Sequence, residues 1–111
     1  MNKELFINKN GICHYKEDIE ELPKEEVELC EKWIKEFTRK NVCINYNFSS
    51  YGLKHVVENH FGKYVSNGSF IKAALNLGFN IKSNGQLNAN FNLHYNETKE
   101  ILTWGGKQNE L

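Results

Sequence analysis

Residues 49–70 read SSYGLKHVVENHFGKYVSNGSF, and how they divide into helices and stops decides the fold. Leu53, Val56, Val57, His60 and Phe61 recur at i, i+3, i+4, i+7 and i+8, which is one face of a helix. Ser49 or Ser50 opens that helix, because a serine oxygen accepts a backbone N–H that the first turn leaves free. Gly62 closes it, since glycine takes the left-handed conformation that ends helices. After Lys63-Tyr64-Val65, Ser66 caps a second helix that buries Phe70, Ile71, Ala74 and Leu75 and stops at Gly78. The unit over 49–79 is therefore helix, turn, helix, resembling a helix-turn-helix in outline. Lys54, His55, Glu58 and Asn59 belong on the outer face of the first helix.

Upstream, Pro23 opens PKEEVELCEKWIKEFTRK, where Val27, Cys30, Ile34 and Phe37 make an apolar stripe widened by Leu29 and Trp33. Glu25 and Glu26 suit the positive end of such a helix, and Lys35, Arg39 and Lys40 its negative end. The pattern predicts a helix over 23–40 with an acidic outer face. Before it, residues 1–16 contain two β-prone runs around Asn10-Gly11, a hairpin signal. After it, VCINYNF (42–48) alternates like a short strand. Downstream, FNIK and LNANFNLHYN flank Ser83-Asn84-Gly85-Gln86, predicting a C-terminal hairpin over 79–104, with ILTW (101–104) as a further strand and a loose tail from Gly105. In LNANFNLHYN, Leu87, Ala89, Phe91, Leu93 and Tyr95 alternate with Asn88, Asn90, Asn92, His94 and Asn96. Asparagine is disfavoured in strands, so this amide row is either a solvated face or a set of donors and acceptors for recognition. Together these elements predict one α+β domain: a small antiparallel sheet of N- and C-terminal hairpins packed against about three helices.

The chain has 111 residues and balanced charge, 14 basic against 14 acidic side chains. The charge is segregated. Residues 1–36 hold ten acids and six lysines, whereas 39–82 hold six bases and one acid, Glu58. Such a dipole is either two solvated faces or a docking surface of one sign. Cys13, Cys30 and Cys43 are odd in number and lack C-x-x-C spacing, which favours free thiols and a reducing, cytoplasmic compartment. No apolar run approaches the ~18 residues of a membrane span.

Site chemistry is sparse. His55 and His60 are five apart, so at about 100° per residue they do not share a helical face, and the H-x-x-x-H spacing of a zinc helix is missing. No P-loop or dinucleotide glycine pattern occurs, and the basic half has no carboxylate cluster. These features predict a binding protein with no cofactor and no metal, rather than an enzyme. A Cys–His nucleophile, or chemistry at His55 or His60, is the weaker alternative.

Ser50-Tyr51-Gly52-Leu53-Lys54-His55, Tyr64-Val65-Ser66-Asn67-Gly68, Phe70-Ile71, Ala73-Ala74 and Gly78-Phe79 together resemble a pattern in small proteins encoded by phages and other mobile elements. The resemblance covers roughly residues 48–80. It implies an accessory protein acting in the host cell. Several proteins of this kind are anti-CRISPRs, which block a host effector by stoichiometric binding. The implied partner is a CRISPR-type effector or its guide or target nucleic acid. Candidate contacts are Arg39, Lys40, Tyr51, Lys54, His55, Lys63, Tyr64 and Lys72, the bases and aromatics of the middle segment. The other function class is a DNA- or RNA-binding accessory protein that uses the same basic segment, with phosphates drawn to lysine and bases stacked on rings.

Overall fold

The computed structural model describes residues 6–83 and 87–100. β1 (Phe6–Asn8) and β2 (Gly11–Cys13) form the expected N-terminal hairpin, with Ile7 opposite Ile12. Gly11 alone takes positive φ there, 129°, so Lys9 and Asn10 make the turn. A 3-10 turn over Lys16–Asp18 leads to helix α1 (Lys24–Phe37), strand β3 (Thr38–Ser49), helix α2 (Ser50–Phe61), helix α3 (Asn67–Asn76), and strands β4 (Ile81–Ser83) and β5 (Ala89–Tyr95). The order β3-β5-β4 makes a three-stranded antiparallel sheet separate from the hairpin. The fold is thus α+β, with three main helices and two small sheets where one sheet was expected. The turn at 84–86 and the segment 101–104 lie outside the described residues.

Helix α1 stops earlier than its charge pattern suggests. Its apolar stripe ends at Phe37, and Thr38 turns extended at φ −134° while its Oγ1 donates to the Ile34 carbonyl at 2.8 Å. β-branched Thr38 favours that extended geometry. Arg39 and Lys40 therefore stand on β3, opposite His94 and Leu93, and not at a helix end.

β3 runs longer than 42–48, and its sides do not alternate as expected, since Val42 is 97% exposed. Its pairing with β5 jumps from Lys40↔Leu93 to Asn45↔Phe91 and then to Ser49↔Asn90, so extra residues bulge out of the ladder twice. The asparagines account for this. Asn92 Nδ2 donates to the Asn41 carbonyl at 3.0 Å and its Oδ1 accepts from Asn80 N at 2.6 Å. Asn90 Nδ2 reaches the Phe48 carbonyl at 2.9 Å, and Asn45 Nδ2 the Leu93 carbonyl at 3.0 Å. Asn90 and Asn92 are buried. They are neither a solvated face nor recognition groups. Their side chains replace ladder bonds that the bulges break, because buried backbone groups must find partners.

The core joins all layers. Trp33 and Ile34 of α1, Leu53 and Val57 of α2, Phe70 and Ile71 of α3, and Phe91 and Leu93 of β5 are fully buried. Trp33 lies 6.1 Å from Phe70 and 5.1 Å from Tyr95, ring centre to ring centre, and Phe70 lies 5.6 Å from Phe91. Each such pair adds about 0.5–1.5 kcal/mol beyond area burial.

α3 is the most enclosed helix. Its first five residues, Asn67 to Ile71, are all buried, and Lys72 and Asn76 are its exposed residues. Gly68 N donates to the Lys9 carbonyl at 3.2 Å, and a Cβ at Gly68 would sit 1.8 Å from the Asn8 carbonyl oxygen. Only glycine permits the hairpin backbone to approach this closely. Gly68→Ala is expected to destabilise the fold by about 2–3 kcal/mol, as overpacking against backbone does. Urea denaturation checks this, and wild-type stability would show that the hairpin does not rest on α3.

Candidate contact site

Ser49, not Ser50, caps α2, with its Oγ accepting from Gly52 N at 3.3 Å. Ser50 is buried, and its Oγ instead accepts from Ala89 N at 3.0 Å, tying the helix start to β5. Gly62 takes φ 67° and ends α2, as expected.

Lys54 departs from its expected outward placement. It is 7% exposed. Its Nζ donates to Glu58 Oε2 at 3.0 Å and lies 5.5 Å from the centre of the Tyr51 ring and 4.8 Å from that of Tyr64. The ammonium is held by a carboxylate one turn away and by the electron-rich faces of two rings. The tyrosines remain open, 52% and 64% exposed. His55 completes the group: its Nδ1 lies 2.9 Å from Glu58 Oε1, and its ring meets Tyr51 edge to face at 4.5 Å.

Glu58 is the hub. Burial pushes its carboxyl pKa up, but the Lys54 hydrogen bond, the Val65 N–H and the charges of Lys54 and His55 outweigh burial and hold it below the ordinary value. A depressed carboxyl pKa stabilises the fold above the ordinary value near 4.5, and that contribution is lost as pH falls through the depressed one.

Tyr51, Lys54 and Tyr64 line a cleft of about 350 Å³ together with Lys9, Asn10, Asn67, Leu87 and Asn88. Three separate chain segments meet there: the first hairpin turn, the helix pair and the entry to β5. Asn67 anchors the junction, its Nδ2 donating to the Asn10 carbonyl and to Asn88 Oδ1, both at 3.0 Å. Of the eight expected contact residues, the structure brings Tyr51, Lys54 and Tyr64 together, with His55 behind them. Lys63 lies with Tyr64 in an adjoining cleft against α1, which Glu25, Glu28 and Lys32 also line. Lys72 lines a groove with Lys24 and Ile7, and Arg39 and Lys40 belong to the bulged strand. Lys9, Asn67 and Asn88 were not among the expected contacts. Asn67 reads locally as a helix start, and only the tertiary junction gives it a second role.

His60 turns inward as expected, edge-on to Phe37 at 5.1 Å and Phe61 at 4.7 Å. Its Nδ1 is 3.3 Å from Glu100 Oε2 without hydrogen-bond alignment. Glu100 accepts from Trp33 Nε1 at 2.5 Å and from the Tyr95 hydroxyl. Burial, then the Glu100 hydrogen bond and charge, raise the Tyr95 pKa. This group fastens residues 97–100 to the core. Cys13, Cys30 and Cys43 are free thiols. Burial, reinforced by Glu26, Glu31 and Glu58, pushes Cys30 up to about 12, so it stays a protonated core side chain at neutral pH. Among the described residues no helix is long and apolar enough to cross a membrane, and no group of three or more His, Cys, Asp or Glu is placed to hold a metal.

Fold and cleft define a small α+β protein with two open tyrosines set around a buried cation. No protein-family model, curated protein or solved structure gives a significant match to the chain.

Glu58→Gln is expected to lower stability at neutral pH by about 1–3 kcal/mol, because a charge-assisted bond to Lys54 is lost. It is also expected to flatten the stability loss between about pH 5 and pH 3 relative to wild type. Urea titrations at both pH values test this. Equal acid sensitivity in the two proteins would remove Glu58 from the role of hub.

Proposed function

We propose that this protein is a non-enzymatic binder from a phage or other mobile element that inhibits a host nucleic-acid defence complex of the CRISPR type by stoichiometric contact. The observation that carries the reading is the pair Tyr51 and Tyr64, open to solvent yet fixed about Lys54. Tyrosine is enriched among the few residues that dominate binding energy, because it presents a large amphipathic face with few rotatable bonds to immobilise. Here those bonds are further restrained before any partner arrives, which lowers the ordering cost of association. The wording of residues 48–80 supports the mobile-element origin.

The second reading, a nucleic-acid-binding accessory protein, rests on Arg39, Lys40, Lys63, Lys72 and Lys82, which form no ion pair among the described residues. They are dispersed over β3, the inter-helix turn, α3 and β4. With α3 buried along most of its length, the helix pair has no second helix free to lie in a groove.

Affinity capture from host lysate, with half the sample nuclease-treated, followed by a target-cleavage assay, tests the proposal. Wild type is expected to retain an effector and block cleavage near one-to-one stoichiometry. Tyr51→Ala/Tyr64→Ala is expected to weaken inhibition at least tenfold, the cost of losing ~1.4 kcal/mol of contact. Full inhibition by the double variant, or failure to hold any effector, would sink the reading.

A further inference from the structure

We infer that the Tyr51–Lys54–Tyr64 cleft is a nucleotide subsite that takes one unit of a single-stranded nucleic acid, with a base against the tyrosine faces and a phosphate toward Lys9. This deepens, and rests on, the reading of the cleft as the contact surface.

Four observations converge on that chemistry. The lining holds two lysines, two tyrosines, three asparagines and one leucine, and no carboxylate. Glu58 holds Lys54 but does not line the cleft. The surface is thus rich in donors, and with Lys54 paired to Glu58 its net positive charge comes from Lys9, which suits an anion beside a flat ring. Second, Tyr51 and Tyr64 expose ring area, and any base has a π-face to stack on it. Third, the cleft meets the start of the ten-residue helix α3 at Asn67, whose amide ties the hairpin turn and Asn88 into one wall. Fourth, Asn67 is 5% exposed, and its Oδ1 finds no donor among the described residues, although its Nδ2 is used twice. A buried amide oxygen without a donor is costly, and base edges carry the N–H groups it lacks. That oxygen has no solvent contact in the free chain, so a base edge reaches it through a side-chain rearrangement on binding. The volume, about 350 Å³, falls within the range of small-ligand pockets and admits a single unit.

A duplex does not fit this reading, because a paired base keeps its edge and faces engaged. The subsite therefore selects displaced, unpaired or guide strands, the forms of nucleic acid exposed within a defence complex.

Fluorescence anisotropy of the purified full chain with labelled single-stranded RNA and DNA of about 12 nucleotides, at about 50 and 200 mM salt, tests the inference. Single strands are expected to bind more tightly than a duplex of the same sequence. Tyr64→Ala is expected to weaken binding about 5- to 100-fold and Tyr64→Trp to restore it, as stacking requires. Lys9→Ala, at an exposed turn, is expected to reduce the salt slope by about 0.7, the effect of one phosphate contact on a single strand. Absence of binding at the lower salt, or binding indifferent to both substitutions, overturns the inference. Failure of the two readings is distinguishable. If no oligonucleotide binds but tyrosine-dependent inhibition persists through a nuclease-resistant complex, the cleft is a protein contact. If tyrosine-dependent oligonucleotide binding occurs without inhibition of any effector, the subsite stands and the inhibitor reading falls.

Discussion

A helix N-terminus placed inside a protein leaves backbone N–H groups that must find acceptors, and α3 begins in the interior. Its needs are met from several elements at once. Ser66 Oγ accepts from Ser69 N at 3.1 Å, Glu26 of α1 accepts from Ser66 N at 3.0 Å and from Ser69 Oγ at 2.9 Å, and the hairpin carbonyl of Lys9 accepts from Gly68 N. Asn67 then reaches outward to Asn10 and Asn88. A single short segment, SNGS, thereby fixes α1, the N-terminal hairpin and the entry to β5 relative to one another. Gly68 sets how closely the hairpin approaches, and each bond adds only about 1 kcal/mol net. Their weight lies in the cost of leaving any of these buried groups unpaired.

The cleft is a consequence of that junction. Tyr64 lies just before the Ser66 cap and Tyr51 just after the Ser49 cap, so both rings hang from helix starts whose positions are set by hydrogen bonds. Lys54 fills the gap between them, and Glu58, bonded also to Val65 N, aligns it. The charge that the sequence places on an outer face is thus spent inside the fold, holding two aromatic side chains in place. What is presented outward is aromatic surface with lysine nearby, not a uniformly basic face.

Asparagine usage follows a similar logic at the sheet. β3 is longer than β5 and cannot pair with it residue for residue. Two bulges absorb the surplus, and Asn45, Asn90 and Asn92 close the gaps with side-chain amides. An amide suits this task because it carries both donors and acceptors on one short stem. The price in strand propensity is small beside the cost of leaving ladder groups unpaired along β5, whose Ala89–Leu93 are buried.

By itself the sequence determined what is local. Periodicity located α1, α2 and α3; Ser66, Gly62 and Gly78 marked helix boundaries; Asn10-Gly11 marked the hairpin; and the inward side of His60 followed from its place on an apolar stripe. It also grouped Tyr51, Lys54 and Tyr64 as neighbours in one segment. Only the tertiary structure decided that Lys54 is buried, that Ser50 serves the sheet and Ser49 the helix, that Arg39 and Lys40 ride on a strand, and that Asn90 and Asn92 point into backbone gaps. The reason is physical. Caps and stripes depend on residues within one or two helical turns. A buried polar group, by contrast, is decided by partners at any sequence distance, such as Asn67 with Asn10 and Asn88, and these exist only once the layers have packed.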